Sequence, residues 1–209
     1  MSEYAITHGI TRDDVPALAS IHRRAFAGFF LAQLGEPFLR EFYRGFIDDP
    51  DAVVVVARGP NGPVGAAVGT TRPASFYGRL LRRRWYGFAW AGARTALTRP
   101  GVIPRLARAV GYRGDPPAGI DAALFASMCI EPGLKGSGLG ARLSEAWSGR
   151  ALEMGATRAY LTTDRDDNDA VNRHHRRNGW TVETEYTTRE GRRMYRYIKD
   201  LDEPSQEER

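Results

Sequence analysis

Cysteine, lysine and long apolar runs are what this chain has least of. Its 209 residues include one cysteine, Cys129, so no internal disulfide can form. With only four scattered histidines beside it, no structural zinc set is expected, and the reading is a protein without a metal. No stretch approaches the roughly 20 consecutive apolar residues that span a bilayer. The opening MSEYAITHGITRDD has no basic leader followed by an apolar run, so no secretory signal is expected and the expected location is the cytoplasm. Lysine occurs only at 135 and 199, and no acid at all lies between Asp51 and Asp115. Arginine recurs across that same gap, at 58, 72, 79, 82, 83, 84, 94, 99, 105, 108 and 113. A GC-rich genome favours arginine over lysine, but the missing acids suggest an anionic partner at that surface.

What is present reads as alternating short elements. Residues 3–10 form an opening strand. Thr11 then caps a helix over 13–26, with Asp14 as its capping-box partner and Val15, Leu18, Ile21, His22 and Phe26 near helical spacing. A second helix follows Gly35-Glu36, with Pro37 in its first turn. The run AVVVVAR at 52–58 is a strand and 64–70 its hairpin partner. Residues 122–130 are apolar on both alternating faces, as a central strand covered on both sides would be. A helix over 138–154 ends at Gly155, 158–163 is a strand, 168–178 a short helix, and 180–187 with 192–199 a closing hairpin across Glu190-Gly191. The order is β-α-α-β-β, an insertion, then β-α-β-α-β-β. It is read as one domain over 1–200, with the insertion at 74–119 and a disordered polar tail over 201–209.

The stretch from Ile130 to Leu143 carries the most chemistry. It leaves a buried strand and opens a helix, and Gly136, Gly138 and Gly140 let the backbone turn tightly and approach a ligand. Free N–H groups and the positive end of the helix dipole favour a phosphate or pyrophosphate there. The order Gly-Lys-Ser/Thr of a Walker A loop is missing, and Gly136-Ser137-Gly138-Leu139-Gly140 lacks the spacing of a Rossmann fingerprint.

Lys135-Gly136-Ser137-Gly138-Leu139-Gly140 resembles the pyrophosphate loop Gln/Arg-x-x-Gly-x-Gly/Ala of the GNAT acyltransferases, after a hydrophobic-x-Pro element matched by Ile130-Glu131-Pro132. Lys135 stands where the family has Gln or Arg. The block from Asn168 to Trp180 is similar to the family's Asn-x-x-Ala-x-x-x-Tyr-x-x-x-Gly-Phe helix, with Val171, His175 and Trp180 as substitutions. The resemblance covers about 3–74 and 120–199. It implies a mixed α/β GNAT fold, with a mostly antiparallel, splayed central sheet flanked by helices and a helical insertion between strands three and four.

It also implies acetyl-CoA as acyl donor. Backbone groups around Met128, Cys129 and Ile130 are then expected to bind pantetheine, and Lys135, Gly136, Ser137, Gly138, Leu139, Gly140 and Ala141 to hold the pyrophosphate. Asn168 corresponds to a family position that contacts the cofactor; it equally suits an N-cap. His175 takes the place of a tyrosine that protonates the leaving thiolate, a role an imidazolium can fill; the other reading is that it packs. Cys129 invites an acyl-cysteine intermediate, although a lone cysteine in an apolar strand is usually core. Asp121, Glu131 and Asp164 flank the relevant strands and are the candidates for a general base, with nothing in the sequence to rank them.

The implied activity is N-acetylation of a small amine, such as an amino sugar or nucleotide-linked amino sugar, by direct attack. A peptide or protein N-acyltransferase and a non-catalytic acyl-CoA-binding protein are the alternatives. The insertion reads in three ways: a structural cap, a lid whose arginines recognise an anionic acceptor, or a peripheral membrane contact through 76–90. Nucleic acid is not expected, since basic residues alone supply only non-specific attraction.

Overall fold

Thr11 and Asp14 close the anticipated capping box. The Thr11 amide donates to Asp14 Oδ2 at 2.8 Å, and the Asp14 amide donates to Thr11 Oγ1 at 3.3 Å. This junction joins strand β1 (Ala5–His8) to helix α1 (Asp14–Ala25). Arg58 grips the same carboxylate at 2.7 and 2.9 Å and holds its pKa down at about 2. Helix α2 (Glu36–Arg44) enters through Gly35, whose φ of 88° suits glycine, and carries Pro37 in its first turn.

The computed structural model describes residues 4–26, 32, 34–98, 121–188 and 191–202. Strands β2 (Ala52–Gly59) and β3 (Gly62–Thr70) form the first hairpin. Helix α3 (Pro73–Thr98) follows as the described part of the insertion; 99–120 lie outside the described residues. Then come β4 (Ala123–Ile130), a 3-10 turn (Pro132–Leu134), α4 (Leu139–Glu153), β5 (Arg158–Asp164), α5 (Asp169–Arg177), β6 (Thr181–Thr187) and β7 (Arg193–Asp200). Each expected element is found within a few residues of its place. Within the proposed tail Leu201 is buried in the core and Asp202 is exposed, while 203–209 lie outside the described residues.

The seven strands stand in the order β1-β2-β3-β4-β5-β7-β6, and every neighbouring pair is antiparallel except β4 with β5. Alternation along β2 splits the core. Val54 and Val56 face a cluster built with Leu18, Leu39, Phe42 and Phe76 from α1, α2 and α3. Val53, Val55 and Ala57 face Leu139, Leu143 and Trp147 of α4, with Trp180 and Tyr197 beyond. The Trp147 indole donates to Val53 O at 3.1 Å. It passes so close to β3 that a side chain at Gly69 would collide with the indole and with Leu124 O, so glycine is required there.

Candidate active site

β4 and β5 begin side by side and then part. Their parallel pairing is limited to Ala123 with Ala159 and Leu124 with Tyr160. From Phe125 to Ile130 β4 is paired only with β3, which leaves a wedge on its β5 side. A register shift opposite Val68 and Gly69 passes from Ser127 to Phe125 and leaves Ala126 as an extra residue, a bulge where the strands separate.

Backbone direction in the wedge follows from one bond. The Glu131 amide donates to Val64 O at 2.8 Å, so Glu131 faces β3. Alternation then turns Cys129 toward β3 as well, while Met128 and Ile130 present their N–H and C=O groups to the gap. Met128 and Ile130 thus offer their backbone groups to the open side of β4, whereas β3 uses the backbone of Cys129.

At the mouth of the wedge, Gly136 and Gly138 take φ of 85° and 80°. These left-handed steps start α4 without a side-chain cap. Ser137 Oγ instead donates to Leu134 O at 2.7 Å and accepts from the Leu139 amide at 3.4 Å. Among the described residues the amides of Gly136, Gly138 and Gly140 find no acceptor, although neighbouring amides do. Lys135 is exposed beside them and Leu139 is buried as an anchor.

The α5 block packs differently from its sequence reading. Asn168 stands at the helix start but does not cap it: its Nδ2 donates back to Thr163 Oγ1 at 2.8 Å and Asp164 O at 3.1 Å. Asn172 adds a bond to Asp164 O at 3.1 Å, and together they staple α5 to the end of β5. His175 is 7% exposed and packs on Tyr197 and Trp180. Burial, with His174 adding to it, pushes its pKa down to about 4, so near neutrality it is an uncharged imidazole. That environment disfavours the imidazolium donor expected at this position.

His174 is the residue that faces the glycine loop. Its Cε1 would lie 3.3 Å from a Cβ placed on Gly140, with Met128 Cε 3.8 Å away. Its Nε2 is buried without a partner. The orientation of α5 on the sheet turns this ring, and not that of His175, toward the loop.

A buried chain of polar groups on the opposite face went unseen in the sequence. His22 Nδ1 lies 3.0 Å from Tyr43 Oη, which lies 3.2 Å from Cys129 Sγ. Burial pushes His22 down to about 4 and the Cys129 thiol up to about 11, so neither is charged near neutrality. Cys129 is therefore a core thiol and not an activated nucleophile. Glu131 and Asp164 are both ion-paired, with Arg24 at 2.5 Å and Arg192 at 2.6 Å, and Asp121 is exposed. A polar groove of about 620 Å³ lies between α5 and β7, lined by Arg165, Asp169, Arg176 and Tyr195 among others. No residue of β4 or of the glycine loop lines it, so it is separate from the wedge.

No family model and no curated protein matches the sequence. Solved structures do. A protein assigned to the GNAT acetyltransferases from Desulfovibrio desulfuricans superposes with a TM-score of 0.60 at 13% identity, covering 95% of this chain and 99% of its own. The fold is the GNAT fold. The yncA protein of Salmonella typhimurium, solved with its cofactor acetyl-CoA, shares it at a TM-score of 0.60 and 14% identity over 98% of this chain and 97% of its own. So does the ribosomal-protein-S18-alanine N-acetyltransferase of Escherichia coli, at 0.57 and 13% over 98% and 97%. The parted strands and the glycine turn into α4 thus belong to a GNAT architecture.

Proposed function

We propose that this protein is an N-acetyltransferase that passes an acetyl or similar short acyl group from coenzyme A directly to an amine. The observation that carries this reading is the wedge between β4 and β5, with the free amides of Gly136, Gly138 and Gly140 at its mouth. The residues present fit acyl-CoA as a substrate. Outward-facing groups of Met128 and Ile130 suit the amides of pantetheine, which would lie along β4 as an added strand. The loop amides and the dipole of α4 suit the pyrophosphate, with Lys135 adding charge. The buried, unpartnered Nε2 of His174 offers a further donor on the same side.

The chemistry needs little more from the chain. The neutral amine attacks the thioester carbonyl carbon, the C–N bond forms, and the C–S bond breaks to release the thiolate. The proton shed by the product nitrogen balances the charge of the thiolate. A backbone N–H at Met128 or Ile130 polarises the carbonyl as its oxygen gains charge. The thiolate of coenzyme A leaves without a strong acid, which suits a site whose His175 is neutral. Proton removal from the amine falls to water, since Glu131 and Asp164 are engaged by arginines.

The acceptor in this reading is a small amine. Two neighbours support the amine class: one is named for the alanine of a ribosomal protein, another is a chimera of a spermidine N-acetyltransferase. The test combines calorimetry with thiol release over a panel of amines, including amino sugars, polyamines and peptides. Wild type should bind acetyl-CoA and release thiol only when a preferred amine is present. Gly138→Asp, which places a carboxylate where the pyrophosphate sits, should abolish binding. A folded Gly138→Asp chain with unchanged affinity refutes the site, and binding without turnover on any amine refutes the enzyme.

A further inference from the structure

Helix α3 has one face that the fold uses and one that it leaves to the outside. It bends at Arg84, whose φ and ψ of −124° and 19° leave the helical range. Before the bend Phe76 and Leu80 are buried against the core of α1 and α2. After it, Phe88 packs on Phe38 with ring centroids 4.8 Å apart, and Thr95 Oγ1 donates to Leu34 O at 2.8 Å. Gly87 lies so close to the Glu41 carboxylate that a side chain there would collide with it.

The arginines divide between the two faces. Arg79 binds Asp49 at 2.9 Å and Asp51 at 2.8 Å, and Arg84 binds Glu41 at 3.3 Å. These two find their anions inside the chain. Arg82 and Arg83 are exposed; among the described residues Arg83 donates only to a carbonyl, Asp48 O, at 3.2 Å, and meets no carboxylate. Arg94, also exposed, holds its guanidinium 5.7 Å above the Trp90 ring.

Between these cations lie the aromatics. Trp85, Tyr86 and Trp90 are 52%, 72% and 61% exposed. Only two other large apolar side chains are comparably exposed among the described residues, Leu152 and Val182, and they lie on other elements. Tyr86, Trp90 and Arg94 follow at four-residue steps and share one ridge. Trp85 stacks on Tyr86 with centroids 3.5 Å apart. The result is a band of amphipathic rings beside Arg82 and Arg83, in a stretch whose sequence has no acid between residues 51 and 115.

We infer that this outer face of α3 docks on the surface of an anionic phospholipid bilayer. Indole and phenol rings settle where an apolar body meets a polar headgroup layer, and arginines flanking them reach the phosphates. Charge complementarity favours this occupant over a second copy of the chain, because a two-fold contact would set Arg82 and Arg83 against the same pair. This inference does not depend on the acyl-transfer reading.

The experiment is vesicle co-sedimentation with the full chain. Phosphatidylcholine vesicles containing one quarter phosphatidylglycerol are compared with phosphatidylcholine alone. Trp147 and Trp180 are buried, so a blue shift of tryptophan emission on binding reports from Trp85 and Trp90. Wild type should bind the anionic vesicles, with that blue shift, and lose binding at high salt. Trp85→Ser with Trp90→Ser, and separately Arg82→Gln with Arg83→Gln, should each weaken binding at least tenfold, since each arginine near such a surface is worth roughly fivefold. All four positions are exposed, and unchanged thermal unfolding confirms that the variants are folded. No anionic-vesicle binding by wild type, or full binding by folded variants of either pair, overturns the inference. So does self-association, or binding to a DNA duplex, that the same substitutions abolish while vesicle binding is absent.

Discussion

His174 stands against Gly140, with its Nε2 buried and unpartnered at the start of α4. Asn178 Nδ2 lies 3.4 Å from its Nδ1, so when neutral the ring carries its proton on Nε2. That N–H lies beside Gly140, its nitrogen 3.9 Å from where a Cβ there would stand. His174→Ala should raise the Kd for acetyl-CoA about tenfold, the worth of one hydrogen bond to a charged group. Gly140→Ala, which forces the ring to shift by a few tenths of an ångström, should act in the same direction but less. Calorimetry on both variants checks this; unchanged affinity in His174→Ala would remove the residue from the donor site.

Two buried imidazoles make the fold sensitive to acid. His22 and His175 have folded pKa values of about 4, against about 6.5 in the unfolded chain. Their neutral forms stabilise the fold, fully so above pH 6.5, and that contribution is lost as pH falls from 6.5 toward 4. At pH 5 each should cost the fold on the order of 2 kcal/mol relative to pH 7.5. Urea unfolding at the two pH values measures the loss, and His22→Gln should shrink it by about half. A midpoint independent of pH over this range would contradict the burial of both rings.

Arginines of α3 that look alike in the sequence should respond differently to truncation. Arg79 joins Asp49, which is 8% exposed, and Arg79→Ala would leave that carboxylate unpaired. A loss of about 3 kcal/mol is expected. Arg82→Ala, on the exposed face, should stay within about 0.5 kcal/mol of wild type. Denaturant curves for the pair separate the two roles, and equal effects would disprove the division of faces.

Cys129 should behave as core. Its thiol is pushed up to about 11 by burial and sits against Tyr43 Oη at 3.2 Å. Iodoacetamide at pH 7.5 should leave the native chain unmodified and alkylate it only after unfolding. Cys129→Ala should cost about 1 kcal/mol of stability and keep turnover within about threefold. Complete loss of turnover in a folded Cys129→Ala chain would revive an acyl-cysteine intermediate.

Much of the chain's local plan was legible because it depends on neighbours in sequence. The Val53–Val56 run makes a strand by shape alone, and the Thr11–Asp14 box closes over three residues. Gly136 and Gly138 mark a turn wherever the strand before them ends up. The assignments that changed depend on docking. His174 and His175 are one residue and about 100° of helix rotation apart, so the seating of α5 on the sheet decides which one meets the glycine loop. The backbone of Cys129 faces β3, and those of Met128 and Ile130 the gap, because strand register, fixed by the bond from Glu131 to Val64, sets that alternation. Arg79 and Asp49 are 30 residues apart, and His22, Tyr43 and Cys129 span three separate elements. Local periodicity and turn chemistry determine which elements form. Only packing the helices against a registered sheet decides which side chains meet, because that choice is made by the shape and burial of surfaces distant in sequence.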